Sequence, residues 1–259
     1  MTTSLVSARW IVTGIEDNGE PVVIPNAALA HDNGRVVAVG PADQIRTTYK
    51  GAAETSYGAH MMLPGFVNSH HHVGLTPLQL GSPDYALELW FAGRLSARDI
   101  DPYLDTLYSA FEMIESGITT VQHIHGWMKG PYANVHNAAS EVLRAYKDMG
   151  MRTSYCFAVR EQNHFVYESN EAFCNRLPPD VATVLAAHLK AQEMPFNEFM
   201  TLFDELTEAN TSPLVKIQLA PANLHWMTDE GLQAIQEKAR EANVPMHMHL
   251  LETAYQKEY

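Results

Sequence analysis

Three consecutive histidines stand in SHHHVG, at His70, His71 and His72. Imidazole nitrogen suits Zn²⁺, Fe²⁺ and similar borderline cations. The run follows MMLPGFVNS, which reads as a short buried strand. Side chains at i and i+2 of a strand share a face, so His70 and His72 can point one way while His71 points the other. Two imidazoles are too few for a hydrolytic site, which takes three or more protein ligands and leaves a position for water. A histidine-rich loop explains the triplet alone about as well. A second cluster, HMHLLE over 247–252, closes another strand-like segment. His247 and His249 again share a face, and Glu252 follows His249 by three residues. This pattern offers a ligand plus a carboxylate that can carry a proton. A third, HIH over 123–125, ends ITTVQHI. Packing or support of neighbouring groups is favoured there over metal ligation, with His125 retained as a candidate substrate contact. His225, in APANLHW, is a candidate pocket residue.

The clusters matter only if elements bring them together. Residues 4–60 read as short strands broken by turns, a small antiparallel β module, with Asp32-Asn33-Gly34 as a hairpin turn. From residue 61 strand and helix alternate five times, and the strands are apolar on both faces, as parallel strands between helix layers are. DPYLDTLYSAFEMIESG predicts a helix capped by Asp101, with Pro102 in its first turn, an apolar stripe of Leu104, Leu107, Phe111 and Ile114, and Gly117 at its end. Further helices are expected over NAASEVLRAYKDMG and TDEGLQAIQEKAREA, and further strands over MRTSYCFAV, LVKIQLA and VPMHMHLL. The excursion over 161–210 carries two more helical stretches. A (β/α) barrel and a doubly wound sheet both fit. The first strand has no Gly-rich phosphate loop, which disfavours dinucleotide binding. In a barrel, the C-terminal strand ends form the catalytic face, and the histidine clusters all stand at such ends.

Composition narrows the partners. The 259 residues include 17 basic and 30 acidic side chains, a formal charge of -13. Nucleic acid or an anionic membrane would require a basic face, so a small-molecule substrate is expected, with no nucleic acid and no membrane. Cys156 and Cys174 form no framework of disulfides and no CxxC metal knuckle; both read as packing residues. No secretory leader and no apolar run of about 18 residues is present, so a cytoplasmic location is expected.

LPGFVNSHHH over 63–72 resembles the LPGFVxxHxH signature of the amidohydrolase superfamily. The resemblance extends to Trp90 in YALELW, to ESGITTV over 115–121 and to MHLLET over 248–253. The branch it resembles holds cytosine, guanine, adenosine-type and pterin deaminases and triazine hydrolases. The resemblance implies a (β/α)8 TIM barrel of metal-dependent hydrolase type with a small β-sandwich, here an N-terminal sandwich portion over 1–60 and an incomplete barrel over 61–259. It implies His70, His72 and His249 as ligands of one divalent metal, Zn²⁺ favoured and Fe²⁺ the alternative. His249 is taken over His247 because it stands three before the glutamate. Glu252 then shuttles protons while metal-activated water attacks an amidine-like ring carbon of a purine, pyrimidine or pterin. Dechlorination of a triazine or opening of a cyclic amide is the alternative on the same site.

Three positions depart from that pattern. His123 and His125 stand where the second strand usually carries an acidic or aromatic residue. Pro221-Ala222 replaces a Pro-His pair, with His225 three residues on. Gln79 stands where the first loop often has Arg. Gln79, His125 and His225 therefore bear on substrate choice. The family usually runs well past 400 residues. This chain ends just after the expected fifth strand, before the sixth-strand His and the eighth-strand Asp. The expectation is an N-terminal part, truncated after about strand five, with two open sheet edges and little activity alone. A non-catalytic fragment is the reading of another class, and a homo-oligomer of the full-length protein is compatible with all of this.

Overall fold

A computed structural model describes residues 3–72, 84–94, 100–126 and 131–258. The chain divides into two compact units, 1–65 and 66–259.

The first unit contains β1 (Ser4–Ile15), β2 (Pro21–Asp32), β3 (Arg35–Pro41), α1 (Ala42–Thr48) and β4 (Ala53–Met62). They form one sheet of order β3-β2-β1-β4. The β2–β3 hairpin turns at Asn33 and Gly34, with φ of 50° and 75°. Such angles favour Asn and Gly, as the sequence predicted. The expected all-antiparallel module is corrected: β1 and β4 run parallel. The β3–α1 crossover returns the chain to the far side of β1, and a crossover yields a parallel neighbour where a hairpin would not. Leu5, Ala28, Ala30, Ala42 and Ile45 form one small core, and Ala8, Ile11 and Ala27 another.

The second unit is built on a parallel sheet of β5 (Phe66–His71), β6 (Ile118–His125), β7 (Arg152–Val159) and β8 (Val215–Pro221), in chain order. Leu63-Pro64-Gly65 separates β4 from β5, so MMLPGFVNS is not one strand. The helices are α2 (Leu87–Arg94), α3 (Pro102–Glu115), α4 (Tyr132–Met149), α5 (Asn170–Cys174), α6 (Pro179–Lys190), α7 (Phe196–Ala209) and α8 (Asp229–Ala242). One core joins α3, α4, α7 and α8 to the outer side chains of the sheet, among them Val121, Tyr155, Phe157, Ile217 and Leu219. The other face carries Ile124, Cys156 and Ala220. Strand alternation thus divides a helix-covered face from an inner face.

Helix α3 begins as expected: Asp101 accepts from the Leu104 amide and Pro102 opens the first turn. Its expected stripe is corrected. Leu104, Phe111 and Ile114 are 62%, 55% and 43% exposed, while Thr106, Ser109, Ala110 and Met113 are buried. Small side chains let this helix approach the sheet closely, and that selects the face. The expected fifth strand, VPMHMHLL, is also reduced. It meets β8 in a single parallel bridge, Leu219 to Met246, extended by hydrogen bonds from His247 N to Leu219 O and His249 N to Ala222 O. Among the described residues, no helix is long and apolar enough to cross a membrane.

Candidate metal centre

The β5–β6 ladder slips just before the histidines. Asn68 pairs with Val121 and His71 with His123, so three steps along β5 match two along β6. This is a β-bulge, a device that re-aims a side chain. Asn68 braces it by accepting from the His70 amide through Oδ1 at 3.3 Å. His71 turns to the helix-covered side, against His123 at a ring separation of 6.1 Å. His70 and His72 turn inward.

There they meet His249. One ring nitrogen from each of His70, His72 and His249 lies within 4.8 Å of the others. His72 Nε2 is 3.1 Å from His70 Nε2 and 3.1 Å from His249 Nε2. The far nitrogens of two rings are anchored: His72 Nδ1 is 2.8 Å from the Ile124 carbonyl, and His249 Nδ1 is 3.2 Å from that of Ala222. A carbonyl only accepts, so both Nδ1 atoms carry the hydrogen and donate. In the neutral rings both Nε2 atoms then present lone pairs, facing one another at 3.1 Å. Two acceptors in that relation repel unless a cation lies between them. Ligand nitrogens about 2.0–2.1 Å from a Zn²⁺ stand about 3.3 Å apart when the angle between them is tetrahedral, and slightly closer when it narrows. The donor set and its spacing fit such an ion.

Electrostatics favour the neutral ligand form. Burial lowers the His72 pKa to about 3, helped by His249, and lowers that of His249 to about 4, helped by His70. The His70 pKa also falls through burial. Protons therefore compete weakly for these nitrogens at neutral pH.

His70, His72, His249 and Glu252 all line one cavity of about 620 Å³. Trp90, Phe91 and Trp226 supply aromatic wall. Arg160 packs against two of them, its guanidinium carbon 3.8 Å from the Trp226 ring centre and 5.1 Å from that of Phe91. Burial lowers the Arg160 pKa to about 9, against the opposing pull of Glu252. The Glu252 carboxyl is itself raised above the usual range, as desolvation outweighs the attraction of Arg160.

The structure does not bring every candidate to this cavity. His125 is buried on the helix-covered side, with Nδ1 2.7 Å from the Tyr155 hydroxyl. The His225 ring packs against Tyr167 with centres 5.0 Å apart and planes tilted by 54°, and its carbonyl accepts from Gln162 and Asn163. Neither lines the cavity. Gln79 lies outside the described residues. Arg160 went unnoticed in the sequence, although it directly follows β7 and so stands at a strand's C-terminal end, where such residues are expected.

Comparison with known proteins gives a consistent likeness. A model of the amidohydrolase family matches residues 61–259. The chain is 27% identical over 256 residues to a 5-methylthioadenosine/S-adenosylhomocysteine deaminase of Desulfovibrio desulfuricans, covering 97% of this chain and 49% of that protein. A deaminase of the same name from Pyrococcus furiosus is 24% identical, over 94% of this chain and 50% of its own length. Among solved structures, atrazine chlorohydrolase of Arthrobacter aurescens TC1 complexed with zinc superposes with a TM-score of 0.71 at 19% identity, covering 95% of this chain and 52% of that one. Aminofutalosine deaminase of Helicobacter pylori gives 0.71 at 13% identity, covering 100% of this chain and 52% of its own. The chain spans about half the length of the relatives it matches.

Proposed function

The chain belongs to the amidohydrolase family, and from that premise we propose that it carries the metal-binding and proton-transfer half of a deaminase site for an aminated nitrogen heterocycle. One observation carries the reading: one ring nitrogen from each of three imidazoles lies within 4.8 Å of the others, in a cavity that Glu252 also lines. The deaminase relatives support the choice of bond.

His70, His72 and His249 would hold the metal, with Zn²⁺ favoured because the zinc-complexed chlorohydrolase shares the fold. A bound divalent cation supplies Lewis acidity and lowers the pKa of coordinated water. The chain's residues do the rest. Glu252, its pKa raised by burial in the cavity, is the carboxyl placed to deliver a proton to the departing amine. Arg160 pulls the Glu252 pKa back down and so favours its ionised form, the form that can first take a proton from water. Trp90, Phe91 and Trp226 offer flat apolar faces that exclude water and stack against an aromatic heterocycle. The net change adds water at the ring carbon and releases ammonia.

The test is ammonia release by the metal-loaded protein from a panel of aminopurines, aminopyrimidines and aminopterins, with chloride and ring-opened acid measured in parallel on chlorotriazines and cyclic amides. Glu252→Gln is expected to cut turnover by about 10²-fold or more while leaving metal content unchanged. A protein that takes up no divalent metal and releases none of these products contradicts the proposal. Chloride release without ammonia would move it to the dechlorinating alternative.

A further inference from the structure

Each metal-facing imidazole needs an acceptor for its other nitrogen, so that the facing nitrogen stays bare. His72 has the Ile124 carbonyl and His249 has the Ala222 carbonyl. His70 has another imidazole: its Nδ1 is 3.0 Å from Nε2 of His247. The rings are 23° from coplanar with centres 5.1 Å apart, so the two nitrogens lie end to end in a shared plane. That is hydrogen-bond geometry rather than face-to-face stacking.

A carbonyl fixes the direction of such a bond, but an imidazole does not. If His247 Nε2 carries the hydrogen, it donates to His70 Nδ1, and the neutral His70 ring must place its own hydrogen on Nε2. That hydrogen would occupy the lone pair the metal requires. If His247 instead carries its hydrogen on Nδ1, its Nε2 accepts from His70 and the His70 Nε2 is freed. We propose that His247 is the positioning residue of this centre, accepting the Nδ1 hydrogen of His70 and so selecting the tautomer that binds metal. The inference deepens the metal site proposed above and rests on it.

The backbone holds His247 in place for this role. Its amide donates to Leu219 O at 3.0 Å, directly beside the Leu219–Met246 bridge. The amide of His249, two residues on, donates to Ala222 O. One extended segment thus delivers a ligand at position 249 and the orienter of a different ligand at 247. His247 does not belong to the group of converging nitrogens, because its Nε2 meets the outer edge of His70. The HMH spacing therefore divides between two tasks.

The test uses the full 259-residue chain and Zn²⁺, with affinity read by competition against a chromophoric chelator at pH 7.5. His247→Leu removes the acceptor. His247→Gln keeps an oxygen able to accept near the position of Nε2. The Leu variant is expected to lose about 10–100-fold in Zn²⁺ affinity and the Gln variant to recover most of it. Ring ¹H–¹⁵N spectra of the zinc-loaded wild type are expected to show His70 protonated on Nδ1 and His247 on its own Nδ1. Equal affinity in wild type and His247→Leu would overturn the role while leaving the triad intact. A Gln variant as weak as the Leu variant would overturn it too, since the side chain would then matter only for packing. Failure of the wild type to bind Zn²⁺ would instead remove the metal site itself. Should His247→Leu not fold, the Gln variant and the wild-type spectra still decide, and His70 found without its Nδ1 hydrogen would refute the proposal.

Discussion

Acidification should destabilise this fold through a residue outside the metal centre, His125. It is 7% exposed, and burial lowers its pKa from 6.5 to about 4. The sign follows from which form the fold prefers. The folded state keeps the neutral ring, and the unfolded chain protonates it as pH falls below 6.5. The contribution is therefore fully present above pH 6.5, is lost between 6.5 and about 4, and changes no further below that. At about 1.4 kcal/mol per pH unit, the gap caps the loss near 3 kcal/mol, and about 2 kcal/mol of it has gone at pH 5. His125→Asn removes the titration but keeps an amide near the position of Nδ1, within reach of the Tyr155 hydroxyl. Urea unfolding of both proteins at pH 7.5 and pH 5.0 gives the comparison. The variant is expected to lose about 2 kcal/mol less than wild type between the two pH values, whatever its constant offset at pH 7.5. Equal losses in both proteins would show that His125 is not held neutral by burial.

Other perturbations test the scaffold and the site. A Cβ at Gly231 would overlap the Glu161 carboxylate, which accepts from the amide and hydroxyl of Thr228 at the start of α8. Gly231→Ala should therefore lower the thermal midpoint although Ala is the better helix former, and an unchanged or higher midpoint would contradict the packing there. Leu202, 1% exposed in the main core, should cost about 3 kcal/mol in urea unfolding when replaced by Ala. Asp101→Ala removes the side-chain cap of α3 and should cost about 1 kcal/mol by the same method. Zn²⁺ held at 100 times its dissociation constant should add about 2.7 kcal/mol of stability in calorimetry, and His72→Ala should abolish that gain.

The pairing of His70 with His72 was legible because strand alternation is local: spacing alone set the two apart from His71. The bulge that aims His70 was not legible, since it exists only relative to the register of β6. The capping of α3 was visible in Asp101-Pro102, as caps are made within one turn. Its buried face was not, because the face is chosen by the sheet against which Ser109 and Ala110 pack. The HIH motif had the right look for a site but lies on the other side of the sheet. Its partners, Tyr146 and Tyr155, are 23 and 30 residues away, beyond any motif window. The role argued for His247 was hidden in the same way, because its partner is 177 residues distant. The parallel pairing of β1 with β4 likewise depends on a crossover that hairpin signals do not encode.

That separation has a consequence for how the molecule assembles. The His72–His249 approach joins positions 177 apart in the chain, whereas the core helices and the β6–β7 and β7–β8 ladders can grow through nearer neighbours. Loop-closure entropy must be met before so distant a contact yields anything, so the imidazole cluster belongs among the last parts of the unit to form. A cation that recognises all three nitrogens would bind the finished chain and ignore its collapsed precursors. Metal uptake during refolding should accordingly lag the recovery of helical signal, making the ion a clock for the final docking of residues 246–249.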